Sequence, residues 1–393
     1  MGGRTRLTGP GPLAGYRALD LTDHRGALAG RLLADLGVDV LKVEPPGGEA
    51  DRAAAPWAGD TPGPTRSLAW LPGNFGKRSV AVDLGEDAGR AEARRLAAGA
   101  DFVLDSSPPG HLVARGLGWE VLHRQNPATI LTSITAFGQS GPRAGWKATD
   151  VTLMAAGGSA FICGDRDRPP LRIGVPQAWC HAAAEAVVAT LVAHHWRERT
   201  GLGQWVDVAA QGVIARSLMS ETGFPPLHGG LFPTRHGPNQ PFAGLRRRAI
   251  FPVKDGHVAF LMVGGPIGAA SMRALVAWLE EDGGAPPGLR DKAWETWDYA
   301  GLHRLGPAGM QAEMDEVETA LVAFFARRTK ADLYEGALRR RILLAPVSER
   351  RDLRESPQLG ARGFFVTVDQ PGLGPIVAPG PFARFSATPL AVR

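Results

Sequence analysis

Between residues 18 and 44 the apolar positions change period twice. Ala18, Leu19 and Leu21 form a short strand-like run that breaks at the polar turn Thr22-Asp23-His24-Arg25-Gly26. Leu28, Leu32, Leu33 and Leu36 then recur at helical spacing, the run stops at Gly37, and the apolar strand Val38–Val43 begins at once. This pattern predicts a strand–helix–strand unit whose right-handed crossover makes the two strands parallel. Ligands of parallel sheets lie beyond the carboxyl ends of the strands, so the turn at 22–26 is a candidate site. It carries no G-x-G-x-x-G run, which argues against ordinary dinucleotide binding.

The same rhythm continues. Residues 45–75 are rich in Pro and Gly and predict a long loop of the kind that is functional or disordered. Asn74-Phe75-Gly76-Lys77-Arg78 closes it ahead of a strand over Ser79–Asp83. Further strands are predicted at Phe102–Asp105, Ile130–Ile134 and Trp205–Val208. A long helix over 179–199 carries Ala, Val and Leu on most faces and is expected to be largely buried. Ile250–Val253, the turn Lys254-Asp255-Gly256 and His257–Val263 predict a hairpin, followed mostly by helices. The expected organisation is a large domain over 1–222, a Pro/Gly-rich linker over 223–245, a smaller domain over 246–340, and a return segment over 341–393 that completes the large one. The fold class is α/β, with a Rossmann-like parallel sheet and a smaller α+β domain.

Composition narrows the function. No run of about 18 apolar residues exists, so no membrane-spanning helix is expected. The first residues lack the apolar stretch of a signal peptide. Two cysteines, Cys163 and Cys180, supply neither a disulfide framework nor a zinc site, and a reduced cytoplasm is expected. Net charge is +5, but arginine is spread along the chain without a basic tail, so nucleic acid is not an expected partner. A mild positive field suits a small anionic ligand.

Several segments in order carry a family resemblance: L-D-L-T…L-A-D-L-G-V-D-V-L-K-V-E, G-K-R-S-V-A-V-D-L, I-T-A-F-G-Q-S-G-P, R-E-R-T-G-L-G-Q-W-V-D-V, and late A-P-V and S-A-T-P-L. With these the chain resembles the class III CoA-transferases, a family that includes formyl-CoA transferase, carnitine CoA-transferase and alpha-methylacyl-CoA racemase. The resemblance runs from about Gly11 to Leu390. It implies a large Rossmann-like domain built from both chain ends, a small domain between, and two chains interlocked as a dimer. It also implies CoA or acyl-CoA as substrate, with no tightly bound cofactor and no metal. In catalytic members an Asp carboxylate attacks the acyl-CoA, which divides one hard exchange into easier steps. Racemases use a His and an Asp as a two-base pair.

This chain departs from that pattern. The family's Asp precedes the helix that ends in R-E-R-T-G-x-G-Q, and a count back from Thr200 places it on Trp179, in Gly174-Val175-Pro176-Gln177-Ala178-Trp179-Cys180-His181. An indole forms no acyl anhydride. The racemase His position falls near Thr149, and the family's glycine-rich loop near Gly237-Pro238-Asn239-Gln240-Pro241 is largely missing. The preferred reading is a non-nucleophilic subunit of a transferase that moves CoA between an acyl-CoA donor and an aromatic or dicarboxylic acid. It would work with an Asp-bearing paralogous partner, as in heteromeric members such as succinyl-CoA:benzylsuccinate CoA-transferase. A second reading is a self-sufficient transferase, racemase or isomerase, a homodimer in which Asp150, Cys180, His181 or Glu185 substitutes. A third is a non-enzymatic CoA-ester binding or scaffold protein.

The resemblance also places the CoA contacts. His24, Arg25 and Gly26 would hold the pantetheine end. Leu71, Pro72 and Lys77 match the adenine side, and Arg52 lies in the loop beside them. Ser106 and Ser107 stand where relatives carry an Asn-Phe-type pair, with Arg115 just beyond. Phe137 and Gln139 match a loop near the acyl group. Plainer roles compete: Arg25 pairing with Asp23 or Asp51, Arg52 tying the long loop down, Lys77 as a surface charge, and Asp150 positioning a loop through hydrogen bonds.

Overall fold

The computed structural model describes residues 11–218, 235–242, 245–297 and 299–392. Residues 223–234 and 243–244 of the expected linker lie outside the described residues. The chain divides into two units. The first comprises the described residues of 11–161, 172–218 and 357–392, and the second those of 162–171 and 235–356.

The first unit is built on six strands: β1 (Arg17–Leu21), β2 (Asp39–Glu44), β3 (Arg78–Ala81), β4 (Phe102–Asp105), β5 (Ile130–Thr135) and β6 (Trp205–Ala209). They lie in the order β3-β2-β1-β4-β5-β6, and every pair is parallel. This is the doubly wound order, and its direction reverses between β1 and β4, where Ala18 pairs with Phe102. Alternate residues enter opposite cores, as the pleat requires. Ala18, Phe102, Leu104 and Ile130 join a cluster with Leu33 of helix α1 (Ala27–Asp35). Leu19, Val103 and Leu131 join Ala93 and Ala97 of helix α2 (Asp87–Ala98) on the other face. Every residue of β4 and β5 is buried, which is why they read as unbroken apolar or small-residue runs.

Short helices α3 (His111–Ala114) and α4 (Trp119–Gln125) follow β4, and α5 (Asp150–Ala156) follows β5. The long helix α6 (Ala178–Thr200) packs Ala182, Ala183, Ala186 and Ala193 into the first core and ends at Gly201, which adopts φ 77° as a left-handed cap. Its burial is one-sided. Val188 and Val192 on the opposite face are 58% and 65% exposed, where the apolar composition predicts cover all round. The pattern reports what the helix wants covered, and this chain alone covers half of it. Helix α7 (Ala210–Ser217) completes the layer.

In the second unit, hairpin β7 (Asn239–Phe242) and β8 (Leu245–Arg248) precedes β9 (Ile250–Val253) and β10 (Gly256–Phe260). Residues 239–241, near the family's glycine-rich loop, are thus part of a strand. β11 (Leu344–Pro346) pairs antiparallel with β10, so these residues belong to the second unit and the chain re-enters the first only at Pro357. A return at 341 is not what the hydrogen bonding draws, because a short strand pattern does not say which sheet it joins. Helices Gly265–Glu281, Tyr299–Phe325 and Lys330–Arg340 supply the rest of a core around Phe251, Phe260 and Phe325. In the first unit again, hairpin β12 (Phe365–Gln370) and β13 (Gly374–Pro379) packs Val368 and Ala378 against Leu71 and Phe75 of the long loop.

Candidate functional site

The crevice forms where β1 and β4 end side by side, at the switch of strand order. Asp20 is completely buried near the end of β1, and its Oδ1 accepts from the Thr22 amide (2.9 Å) and hydroxyl (2.6 Å). Lys77 lies beneath α1. Its Nζ donates to Asp20 Oδ2 (2.7 Å), the Ala27 carbonyl (2.8 Å) and Asn74 Oδ1 (2.9 Å). All three donors are spent and none is left for a phosphate. Burial pulls the Lys77 ammonium below its ordinary range, against the attraction of Asp20. The close approach explains Gly30: a Cβ there would stand 2.4 Å from Asp20 Oδ2 and 2.9 Å from Lys77 Nζ. Gly26 is also required, since its Cβ would meet Thr22 Cγ2 at 2.6 Å.

Asp23 ties the two strand ends together. Its amide donates to Ser106 Oγ (2.9 Å), and that hydroxyl donates back to Asp23 Oδ1 (2.9 Å). Arg25 grips the same carboxylate through Nε, 2.9 Å from both oxygens, with an NH2 nitrogen 2.7 Å from Oδ2. Burial alone would raise the Asp23 pKa, but the Arg25 bonds and charge hold it below the usual carboxylate range. Arg25 therefore takes the plainer role of pairing with Asp23. Its guanidinium also stands 6.0 Å from the centre of the Trp179 ring. His24 turns towards Asp51, with Nδ1 3.1 Å from Oδ2.

A cleft of about 440 Å³ opens beside this knot, lined among others by Asp23, His24, Lys42, Trp70, Pro72 and Cys180. Three of the expected site residues, His24, Pro72 and Cys180, come together here. Leu71 points away into the core, and Pro72 offers its carbonyl to Arg31 (2.7 Å). Lys42, which the sequence reading passed over, is 2% exposed and donates to the Thr22 carbonyl at 2.5 Å. Its signal was a cation inside the apolar strand Val38–Val43, at a position facing inward.

Arg52 anchors the long loop. It meets Glu44 through Nε (2.5 Å) and NH2 (2.6 Å), donates to the Pro64 carbonyl (3.2 Å), and lies 3.7 Å over the Trp70 ring. Glu44 also accepts from Ser79 and from the Glu49 amide. Burial would raise this carboxyl, yet the Arg52, Ser79 and Glu49 donors lower it to about 2.

The remaining expected residues are dispersed. Ser107 donates its amide to Asp105 Oδ1 (2.9 Å). Phe137 makes an edge contact with Trp146, and Arg115 caps α3 through its backbone. The Gln139 amide donates to Asp207 Oδ2 (2.9 Å).

At the start of α6, Trp179 is buried in the first core. Asp150 Oδ1 accepts from the Gln177 amide (2.9 Å) and the Ala178 amide (2.7 Å), so this carboxylate satisfies the orphan donors of the helix N-terminus. Glu185 lies 3.7 Å from Arg216. The Cys180 thiol is raised above its ordinary range by the protein packed around it and then by the Asp150 charge, and a raised thiol is a poor nucleophile. His181 is exposed.

The model of CoA-transferase family III matches residues 13–393. The chain belongs to this family. The BbsE subunit of succinyl-CoA:(R)-benzylsuccinate CoA-transferase of Thauera aromatica is 34% identical, over 91% of this chain and 84% of its own length. The succinyl-CoA–D-citramalate CoA-transferase of Chloroflexus aurantiacus is 33% identical, over 97% of this chain and 89% of its own. Among solved structures, a CaiB/BaiF family protein from Brucella suis superposes with TM-score 0.78 at 28% identity, covering 98% of this chain and 95% of that one. For a CoA-transferase family III protein the polar groups around Trp179 are committed to structure: Asp150 to the helix end, Asp23 to Arg25 and Ser106. Among the described residues no helix is long and apolar enough to cross a membrane, and no group of three or more His, Cys, Asp or Glu side chains could hold a metal ion.

Proposed function

We propose that this chain is the non-nucleophilic subunit of a CoA-transferase that moves CoA between an acyl-CoA donor and an aromatic or dicarboxylic acid, with the CoA ester in the crevice at the ends of β1 and β4. The observation that carries this reading is the start of α6. An indole fills the position expected for the nucleophile, and the Asp150 carboxylate at that helix end is already held by two backbone amides. The similarity to a protein named as one subunit of a transferase supports it. So does the outward apolar stripe of α6, Val188, Val192 and Trp196, which a second chain would cover.

In this reading an Asp of a paralogous chain performs the exchange. Its carboxylate oxygen attacks the thioester carbonyl and the C–S bond breaks, leaving an acyl anhydride and free CoA thiolate. The thiolate then attacks the Asp carbonyl of the anhydride, releasing the donor acid and leaving CoA on the enzyme. The acceptor carboxylate then attacks the Asp–CoA thioester carbonyl, forming a second anhydride and freeing the CoA thiolate, which attacks the acceptor carbonyl to give the new acyl-CoA and restore the Asp carboxylate. The present chain contributes walls, the Arg25–Asp23–Ser106 knot and the loop clamped by Arg52. Its two scattered cysteines suit a reducing cytoplasm as the place where it works.

The test is the native complex. Purification at native levels is expected to yield this chain with an Asp-bearing family subunit at equal stoichiometry, and CoA transfer only when both are present. A homodimer of this chain that turns over by itself overturns the reading. A Trp179→Asp variant that remains folded is expected to gain a hydroxylamine-sensitive acyl label.

A further inference from the structure

The cleft of about 440 Å³ holds a pair of side chains that the transfer chemistry leaves unused. His24 Nδ1 lies 3.1 Å from Asp51 Oδ2, and both residues belong to the lining. The imidazole is 60% exposed, so water and a ligand can reach it. With Nδ1–H donating to the carboxylate, the neutral ring keeps its lone pair on Nε2. Asp51 sits on a pinned segment: its carbonyl accepts from the Ala54 amide (3.1 Å), and the neighbouring Arg52 is clamped to Glu44. The charge of His24 also acts on Asp23 in the same lining, so an imidazolium formed here is stabilised by two carboxylates.

A ring nitrogen able to take a proton, backed by a carboxylate on the other nitrogen, is the arrangement of a general base with its orienting acid. Lys42 in the same lining adds the positive charge that a developing oxyanion needs. The indole of Trp179 stands where a carboxylate nucleophile is expected, and the Cys180 thiol is raised above its ordinary range. Water is the nucleophile that remains for this base to activate.

We propose that His24 and Asp51 make this crevice a hydrolytic site for an acyl-CoA thioester, a further activity that rests on the CoA reading above for the presence of the ester. His24 Nε2 takes a proton from water as the water oxygen attacks the thioester carbonyl carbon. The C–S bond then breaks, and the imidazolium returns the proton to the CoA thiolate. The products are CoA thiol and the carboxylic acid, which loses its own proton to solvent.

The test uses the full chain in its native complex with glutaryl-CoA and benzoyl-CoA, a dicarboxylic and an aromatic thioester, and no acceptor acid. Ester binding is followed by calorimetry and turnover by the release of free CoA thiol. Release is expected to continue steadily beyond one equivalent per chain. His24→Asn keeps a side-chain N–H for Asp51 but offers no base, and its kcat is expected to fall about a hundredfold or more, a larger factor than any loss of ester affinity. Asp51→Asn is expected to cost about tenfold or more in kcat, since the ring is no longer held in one tautomer. Ester binding without turnover, or turnover at the parent rate in both variants, overturns the proposal and leaves the CoA reading standing. No ester binding by the folded complex overturns the CoA reading and the proposal with it.

Discussion

Asp105 and Glu44 each sit near the carboxyl end of a strand, yet their environments push them apart. Glu44 is surrounded by donors and held at about 2, so its contribution to stability is present above the ordinary carboxylate range and is lost only as pH falls through the folded value. Asp105 is the reverse case. Burial lifts it to about 6, against the Ser107 amide, the Ser107 side chain and the Arg25 charge. The native state then binds this proton more readily than the unfolded chain, so stability is greatest below about 4 and is lost as pH rises towards 6. Asp105→Asn removes that loss. Measured by urea denaturation, the variant is expected to gain on the parent by up to about 3 kcal/mol between pH 4 and pH 7.5. An unchanged difference across that range would show that Asp105 is not a buried titrating group.

At the scale of elements, α6 shows how one helix end can be completed from a distance. Its first turn has no acidic residue of its own, and the donors are met by Asp150, which stands 27 and 28 positions earlier in the chain. Asp150→Ala is expected to cost about 0.5–2 kcal/mol, the usual range for a lost helix cap, with Asn recovering most of it. The same substitution removes the charge that helps to raise the Cys180 thiol, so its pH profile of alkylation is expected to shift to lower pH. A profile that stays in place would mean that burial alone sets the thiol.

Over the whole first unit, Arg31 joins three segments distant in sequence. From α1 it donates to the Pro72 carbonyl (2.7 Å) and the Pro379 carbonyl (3.0 Å), and its guanidinium lies 5.1 Å from the centre of the Phe75 ring. One side chain thus fastens the long loop and the return hairpin to the sheet's helical layer. Arg31→Ala leaves two carbonyls without this donor, and a cost of about 2–4 kcal/mol is expected. The 45–75 loop of the variant is expected to be cut faster by protease at native pH, and an unchanged cleavage rate would place the loop's anchorage on Arg52 and Glu44 instead.

Strands β1, β2, β4, β5 and β6, the helices α1 and α6, the glycine stops at Gly37 and Gly201 and the candidate turns were legible from the chain alone. Each rests on local rules: apolar period, left-handed glycine and the right-handed crossover. Those rules say where a side chain begins, not what it meets. Lys77 was read beside the adenine or as a surface charge, and instead is an internal strut, because Asp20 and the Ala27 carbonyl, 57 and 50 positions away, are brought to it by the packing of β1 and α1. The exposed face of α6, the sheet that receives β11, the far partner of Asp150 and the burial of Asp105 were likewise decided by the tertiary structure. They depend on segments brought together across tens to hundreds of positions, and burial and hydrogen-bond satisfaction are properties of that assembly.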